Sequence, residues 1–301
     1  MTDLDRWLVA LDDTSTDVKI IRYTCFLASF YKPKKVFFVH VIKESDEERV
    51  LKHEFERLKN HVQNEIRLKF QYLFRQNFDQ CKLEYELIIK TGNVTQELLD
   101  ASESLRVDLV IAGRKSDSDS QGIVPERISR KISCNFLMVP EGASLELKKI
   151  IVPSDFSDYA LLAMDMASRL FSYHPIYVHH YHVYQVPMGF SKLGKSYDEF
   201  AEIIHKHADE KMKLIVKKYR FDHECNFDLK DNNMISNLIF KKAQEIGADL
   251  IILGSKGLTS ASYSLLGSTS TRVLAINKVI PALIVKKEGE NIGLLEAIGK
   301  L

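Results

Sequence analysis

The chain is expected to fold as two tandem α/β domains, each doubly wound (Rossmann-like, HUP-type) around a five-stranded parallel sheet. Three observations lead there. The sequence repeats itself, short apolar runs alternate with helical patterns, and most of those runs are continuous instead of strictly alternating. Continuous runs suit parallel strands covered on both faces.

The repeat carries most of the weight. WLVALDD at 7–13 is answered by KIIVPSD at 149–155, 142 residues later, each a strand ending in an acid. His40-Val41 returns as His182-Val183 at the same offset. DLVIAG at 108–113 returns as DLIILG at 249–254, and FLMV at 136–139 is answered by ALIV at 282–285. Four anchors in one order mark a duplication. The stretch PEGAS at 140–144 interrupts the apolar pattern, which divides the chain into 1–142, 146–287 and a tail, 288–301.

Element by element, the second copy reads as strands near 149–154, 176–183, 224–229, 249–253 and 282–286. Helices fall near 158–171 and 236–247, the latter closed by Gly247. In the first copy Leu51, Phe55, Leu58, Val62, Ile66, Phe70 and Leu73 step by three or four, the signature of one long amphipathic helix. Residues 184–197 form an irregular, aromatic-containing insert suited to a lid, a partner-binding loop or ordinary packing. The apolar residues of 291–301 stand at helical spacing and suit docking onto a neighbour.

Composition narrows the function classes. Of 301 residues 45% are hydrophobic and 28% charged, which excludes global disorder. Lys plus Arg is 42 against 41 acids, a formal charge of +1, so no general attraction to nucleic acid or anionic lipid is expected. No apolar stretch is long enough to span a membrane, and the N-terminus lacks an export signal, so a cytoplasmic protein is expected. Cys25, Cys81, Cys134 and Cys225 stand far apart and read as reduced thiols.

In an open α/β sheet the ligand crevice lies beyond the carboxyl ends of the strands, where strand order reverses. There the second copy places Asp155, Val183 and the segment GSKGLTSASYSLLGST at 254–269. Gly254, Gly257 and Gly267 would let backbone amides approach phosphate oxygens and adopt positive φ. A helix beginning near Ser268 would aim unpaired N–H groups at an anion. Ser268 and Thr269 add hydroxyls, Ser268 also as a helix cap, and Lys256 adds a charge. The spacing is neither that of a P-loop nor that of a dinucleotide fingerprint. His180 and His182 share a strand face and could hold a metal with a third ligand, but the recurrence of His182 as His40 favours a structural position.

With G-x2-G-x9-G-[ST] met by Gly254, Gly257, Gly267 and Ser268, and VPSDFS at 152–157 like a first-strand signature, the chain resembles the universal stress protein family in its tandem form. The resemblance implies ATP, with adenosine near Pro153, Asp155 and Val183 and phosphates along 254–269. It also implies Mg2+ or Mn2+ carried by those phosphates. The first copy departs from the pattern and reads as a degenerate domain without ATP. Gly113, Lys115, Asp13 and Val41 persist, but Ser116 replaces a glycine, Asp117 and Asp119 would repel phosphate, and Ile123 and Val124 replace the hydroxyls.

The first functional reading is an ATP-binding stress-response or regulatory module that acts on an unidentified protein partner, with a homodimer left open. No membrane or nucleic-acid partner is expected. Its rivals are a slow metal-dependent ATP hydrolase using Lys256 and Asp155, and an interaction scaffold that uses no nucleotide.

Overall fold

The computed structural model describes residues 4–43, 52–115, 123–173, 175–190, 194–219, 225–230, 233–258 and 266–287. Two compact units result, one from the chain up to Leu145 and one from Glu146–Lys286. The 291–301 segment lies outside the described residues.

The first unit runs β1 (Arg6–Leu11), α1 (Thr16–Tyr31), β2 (Lys35–Lys43), α2 (Lys52–Asn77), a 3-10 turn (Asp79–Cys81), β3 (Tyr85–Gly92), α3 (Val94–Ser104), β4 (Leu109–Arg114), α4 (Ile123–Lys131) and β5 (Asn135–Pro140). Its sheet order is β3-β2-β1-β4-β5, every pair parallel. The second unit repeats this with β6 (Lys149–Pro153), α5 (Asp158–Tyr173), β7 (Tyr177–Tyr184), α6 (Tyr197–Tyr219), β8 (Cys225–Leu229), α7 (Ile235–Glu245), β9 (Leu250–Gly254), α8 (Ser268–Ile276) and β10 (Ala282–Val285). Its order is β10-β9-β6-β7-β8, again parallel throughout. In each unit the first strand is central and the order reverses beside it, which opens a crevice at the carboxyl ends.

The continuous apolar runs are the buried central strands: Trp7, Leu8 and Val9 in β1, and Ile150, Ile151 and Val152 in β6, are sealed from solvent. The repeated acids brace the opposite ends. Asp108 Oδ2 accepts the N–H groups of Asp5 and Arg6, and Asp249 Oδ2 those of Lys148 and Lys149, which ties the fourth strand of each unit to the first. Gly247 closes α7 at a φ of +63°, a conformation that favours glycine.

The long helix anticipated in the first unit is α2. Its carboxyl end buries Phe70 and Phe74, followed by Phe78, and the ring centroids of Phe74 and Phe78 lie 4.4 and 5.0 Å from that of Phe38. Here one expectation is corrected. Cys25 on α1 and Cys81 on the 3-10 turn form a disulfide, with Cα atoms 5.9 Å apart across a sequence separation of 56. Packing of α2 against β2 turns the chain back and brings together thiols that look remote in sequence. Cys134 and Cys225 take no part in a disulfide. In the 184–197 insert, Phe190 packs edge-on against Tyr197 and Phe200 while Met188 stands exposed, and residues 191–193 lie outside the described set. No described helix is long and apolar enough to cross a membrane.

Candidate functional site

The crevice of the second unit is a cavity of about 370 Å3. Pro153, Asp155, Val183, Gly254, Lys256, Gly257, Gly267, Ser268 and Thr269 all line it. The fold therefore gathers at one place residues that are more than a hundred positions apart in the chain.

Asp155 lies just past β6. Its Oδ1 accepts the N–H of Ser157 at 3.0 Å and its Oδ2 that of Leu258 at 2.8 Å, so the carboxylate pins the start of the glycine segment to the end of the central strand. This explains Gly257: a Cβ there would stand 2.5 Å from Asp155 Oδ2. Gly254 has a different reason to be glycine. A Cβ would meet the main chain of Tyr159 at 2.6 Å, so the residue lets the first turn of α5 pack onto β9. Neither position, nor Gly267 with a φ of −68°, uses positive φ, which corrects the expectation for this segment. What the glycines supply is close approach, not left-handed backbone.

Gly267, not Ser268, is the N-cap of α8, and no side chain caps the helix. Gly267 N–H donates to the Ser255 carbonyl at 2.6 Å and Ser270 Oγ to that of Gly254 at 2.7 Å. These two bonds stitch α8 to the end of β9. The helix thus opens on the crevice with exposed Ser268, half-buried Thr269 and first-turn N–H groups that no helical carbonyl can reach. Lys256 is buried, its ammonium 5.6 Å from the Tyr159 ring centroid, and it lines the same cavity.

Val183 lines the cavity near the carboxyl end of β7. Tyr181 carbonyl accepts from Ser154 N–H, and the two-residue period of a strand turns Val183 to the same side, beyond the last pair of β6 with β7. His182 seals this corner: its Nδ1–H donates to the Ser154 carbonyl at 2.7 Å, and burial holds the ring below its ordinary pKa. His40 does the same to Leu11 at 3.0 Å. Both are neutral strand ties. Among the described residues no group of three or more His, Cys, Asp or Glu is placed to hold a metal. Sequence reading missed Gln185 and Lys230, which line the cavity and join through Nζ to Oε1 at 3.1 Å, and also Tyr181, whose hydroxyl donates to Asp228 at 2.7 Å. Strand spacing alone could have flagged Tyr181, but nothing local marks the Gln185–Lys230 contact.

The first unit holds a cavity of about 430 Å3 at the corresponding strand ends. Its acid is Asp12, not Asp13. Leu11 and Ser154 both accept from the repeated histidine, and Asp13 and Phe156, two residues further on, both take left-handed φ of 61° and 64°. The acid between them is therefore Asp12 in one unit and Asp155 in the other. Asp12 pairs with Lys115 at 3.1 Å. Ser116, Asp117, Asp119 and Gly122 lie outside the described residues. α4 opens with Ile123, Val124 and Pro125, and Pro125 has no N–H to offer an anion.

Comparison with known proteins agrees with this geometry. The sequence model of the universal stress protein family matches residues 4–140 and again 146–286. The chain belongs to the universal stress protein family. Universal stress protein MJ0577 of Methanocaldococcus jannaschii is 28% identical over 160 residues, covering 48% of this chain and 98% of that protein. Universal stress protein MJ0531 of the same organism is 29% identical over 143 residues, 46% of this chain and 82% of its own length. Each relative thus corresponds to about one half of this tandem universal stress protein. A universal stress protein structure from Archaeoglobus fulgidus superposes over 96% of this chain and 98% of its own, with a TM-score of 0.67 at 18% identity, a likeness of fold.

Proposed function

We propose that the second domain binds ATP and that the protein works as a nucleotide-dependent regulatory module of the stress response. One observation carries the reading: the glycine segment, the open first turn of α8 and Asp155 converge on a single cavity at the strand-order reversal. Main-chain N–H groups of 268–270 and Lys256 would take the phosphates, and the main chain of Val183 with Asp155 the adenosine. Mg2+ or Mn2+ would be carried by the phosphates. Bound nucleotide would shift the populations of loop conformations and so alter contacts with a protein partner, which requires unequal nucleotide affinities in the two states.

Calorimetric titration of the purified chain with ATP and Mg2+ tests this. One molecule should bind per chain, and Gly257→Val should abolish the heat. No heat with the unaltered chain, or undiminished binding by Gly257→Val, ends the proposal. A steady release of phosphate that vanishes with Lys256→Ala would move the reading to a slow hydrolase.

A further inference from the structure

The cavity of the first domain is as roomy as that of the second but built of different material. Its walls include Leu11, Ile20, Val41, Ile66, Leu98 and Ile128; among the described residues no Phe, Tyr or Trp lines it, and its one ring is His40, tied to the Leu11 carbonyl. A flat base would find only this one imidazole, already held against the main chain, whereas a flexible hydrocarbon would find aliphatic surface on several sides. Two further observations point to a ligand. Thr16 also lines this cavity, is almost wholly buried, and its Oγ1 has no hydrogen-bond partner among the described residues. Buried hydroxyls are normally satisfied, so this one is available to an occupant. Among the described residues that line it, Lys43 and Lys115 stand with one acid, Asp12. Lys115 is paired with Asp12, and the exposed Lys43 offers its ammonium to a monoanionic head group.

We infer that the first domain is a binding site for an aliphatic carboxylate of short to medium chain length, its tail among the aliphatic side chains and its head group at Lys43. Two features of the second domain's crevice are replaced here. Pro125 removes an N–H where the second domain offers Ser270, and the Lys115–Asp12 pair occupies the position where Asp155 binds the Leu258 amide. The inference concerns a different cavity from that of the proposed ATP site and does not depend on it.

The test is calorimetric titration of the full chain with hexanoate, octanoate and decanoate, with and without ATP. One molecule should bind per chain, with affinity rising about fourfold for each added methylene. Ala112→Leu, which fills the cavity from β4, should remove decanoate binding. Lys43→Glu, a change at an exposed residue that leaves the core untouched, should weaken decanoate about tenfold and leave decanol unchanged. Gly257→Val should bind decanoate normally. The inference is overturned by an affinity that does not depend on chain length, by a Lys43→Glu chain that binds decanoate as before, or by decanoate binding that disappears with Gly257→Val. Adenosine displacing decanoate from the Gly257→Val chain would also overturn it, because the cavity would then be a nucleoside site.

Discussion

The two crevices of this universal stress protein share a scaffold and differ in what holds their acid. In the second domain Asp155 accepts two main-chain N–H groups and draws the glycine segment against the central strand. In the first, Asp12 meets the ammonium of Lys115, and the turn after β1 is held instead by buried Asp17, which accepts from the N–H groups of Asp12 and Thr14. Duplication preserved the strand ties, His40 and His182, and the acid clamps, Asp108 and Asp249, because the fold needs them in both copies. It did not preserve Gly257, Ser268 and Thr269, where the first copy has Ser116, Ile123 and Val124. The lesson is that repeated contacts report architecture, and the ones that differ report use.

Four experiments would break or sharpen this comparison, taken from the largest effect to the smallest. Removing the first domain's disulfide with Cys25→Ser should cost about 4 kcal/mol, from the closure of a 56-residue separation. Denaturant melts followed by domain-resolved hydrogen exchange should show the loss in the first domain alone, and equal loss in both would contradict the separation drawn here. Gly257→Val should raise the Kd for ATP at least about a hundredfold, some 2.7 kcal/mol, while Lys115→Ala leaves it unchanged. An ATP affinity that responds to Lys115 would mean that the first domain carries the nucleotide.

The paired glycines offer a finer contrast. Gly254→Ala presses on the rigid main chain of Tyr159, whereas Gly113→Ala meets the terminal Cδ1 of Ile20, which can rotate away. Thermal unfolding should show costs of about 3 and about 1 kcal/mol respectively, and the reverse ranking would refute the steric account. Finally, burial pushes the Asp17 carboxyl up from 3.8 to about 7, whereas the corresponding residue of the second domain is Ala160. A raised acid binds protons more tightly in the folded state, so this group's contribution falls as pH rises from about 4 to 7. The first domain should lose on the order of 2 kcal/mol across that window, and Asp17→Asn should flatten the slope. A slope that survives the substitution would place its origin elsewhere.

Much of the fold was legible in the sequence because its signals are local or periodic. Apolar runs show buried strands wherever they fall, and the glycine motif, read with its preceding strand and following helix, falls on one wall of the second domain's cavity. The register of the acid was not legible. DD at 12–13 gives two candidates in sequence, and aligning strings selected Asp13. Only the hydrogen bond from His40 to Leu11 shows that β1 ends where it places Asp12 in the crevice. Nor could sequence distinguish the reasons for two glycines three residues apart, since Tyr159 and Asp155, the groups each must clear, come from a different part of the chain.

By itself, then, the sequence determined that the chain is a duplicated α/β protein with one intact and one eroded glycine segment, because repeats, periodicity and spacing are properties of neighbouring residues. The tertiary structure alone decided which acid faces each crevice, that Cys25 meets Cys81, that Gln185 joins Lys230 at a cavity wall, and that the eroded crevice is lined by aliphatic side chains. Those are contacts between residues tens to a hundred positions apart, and their geometry is set by how helices settle on a sheet.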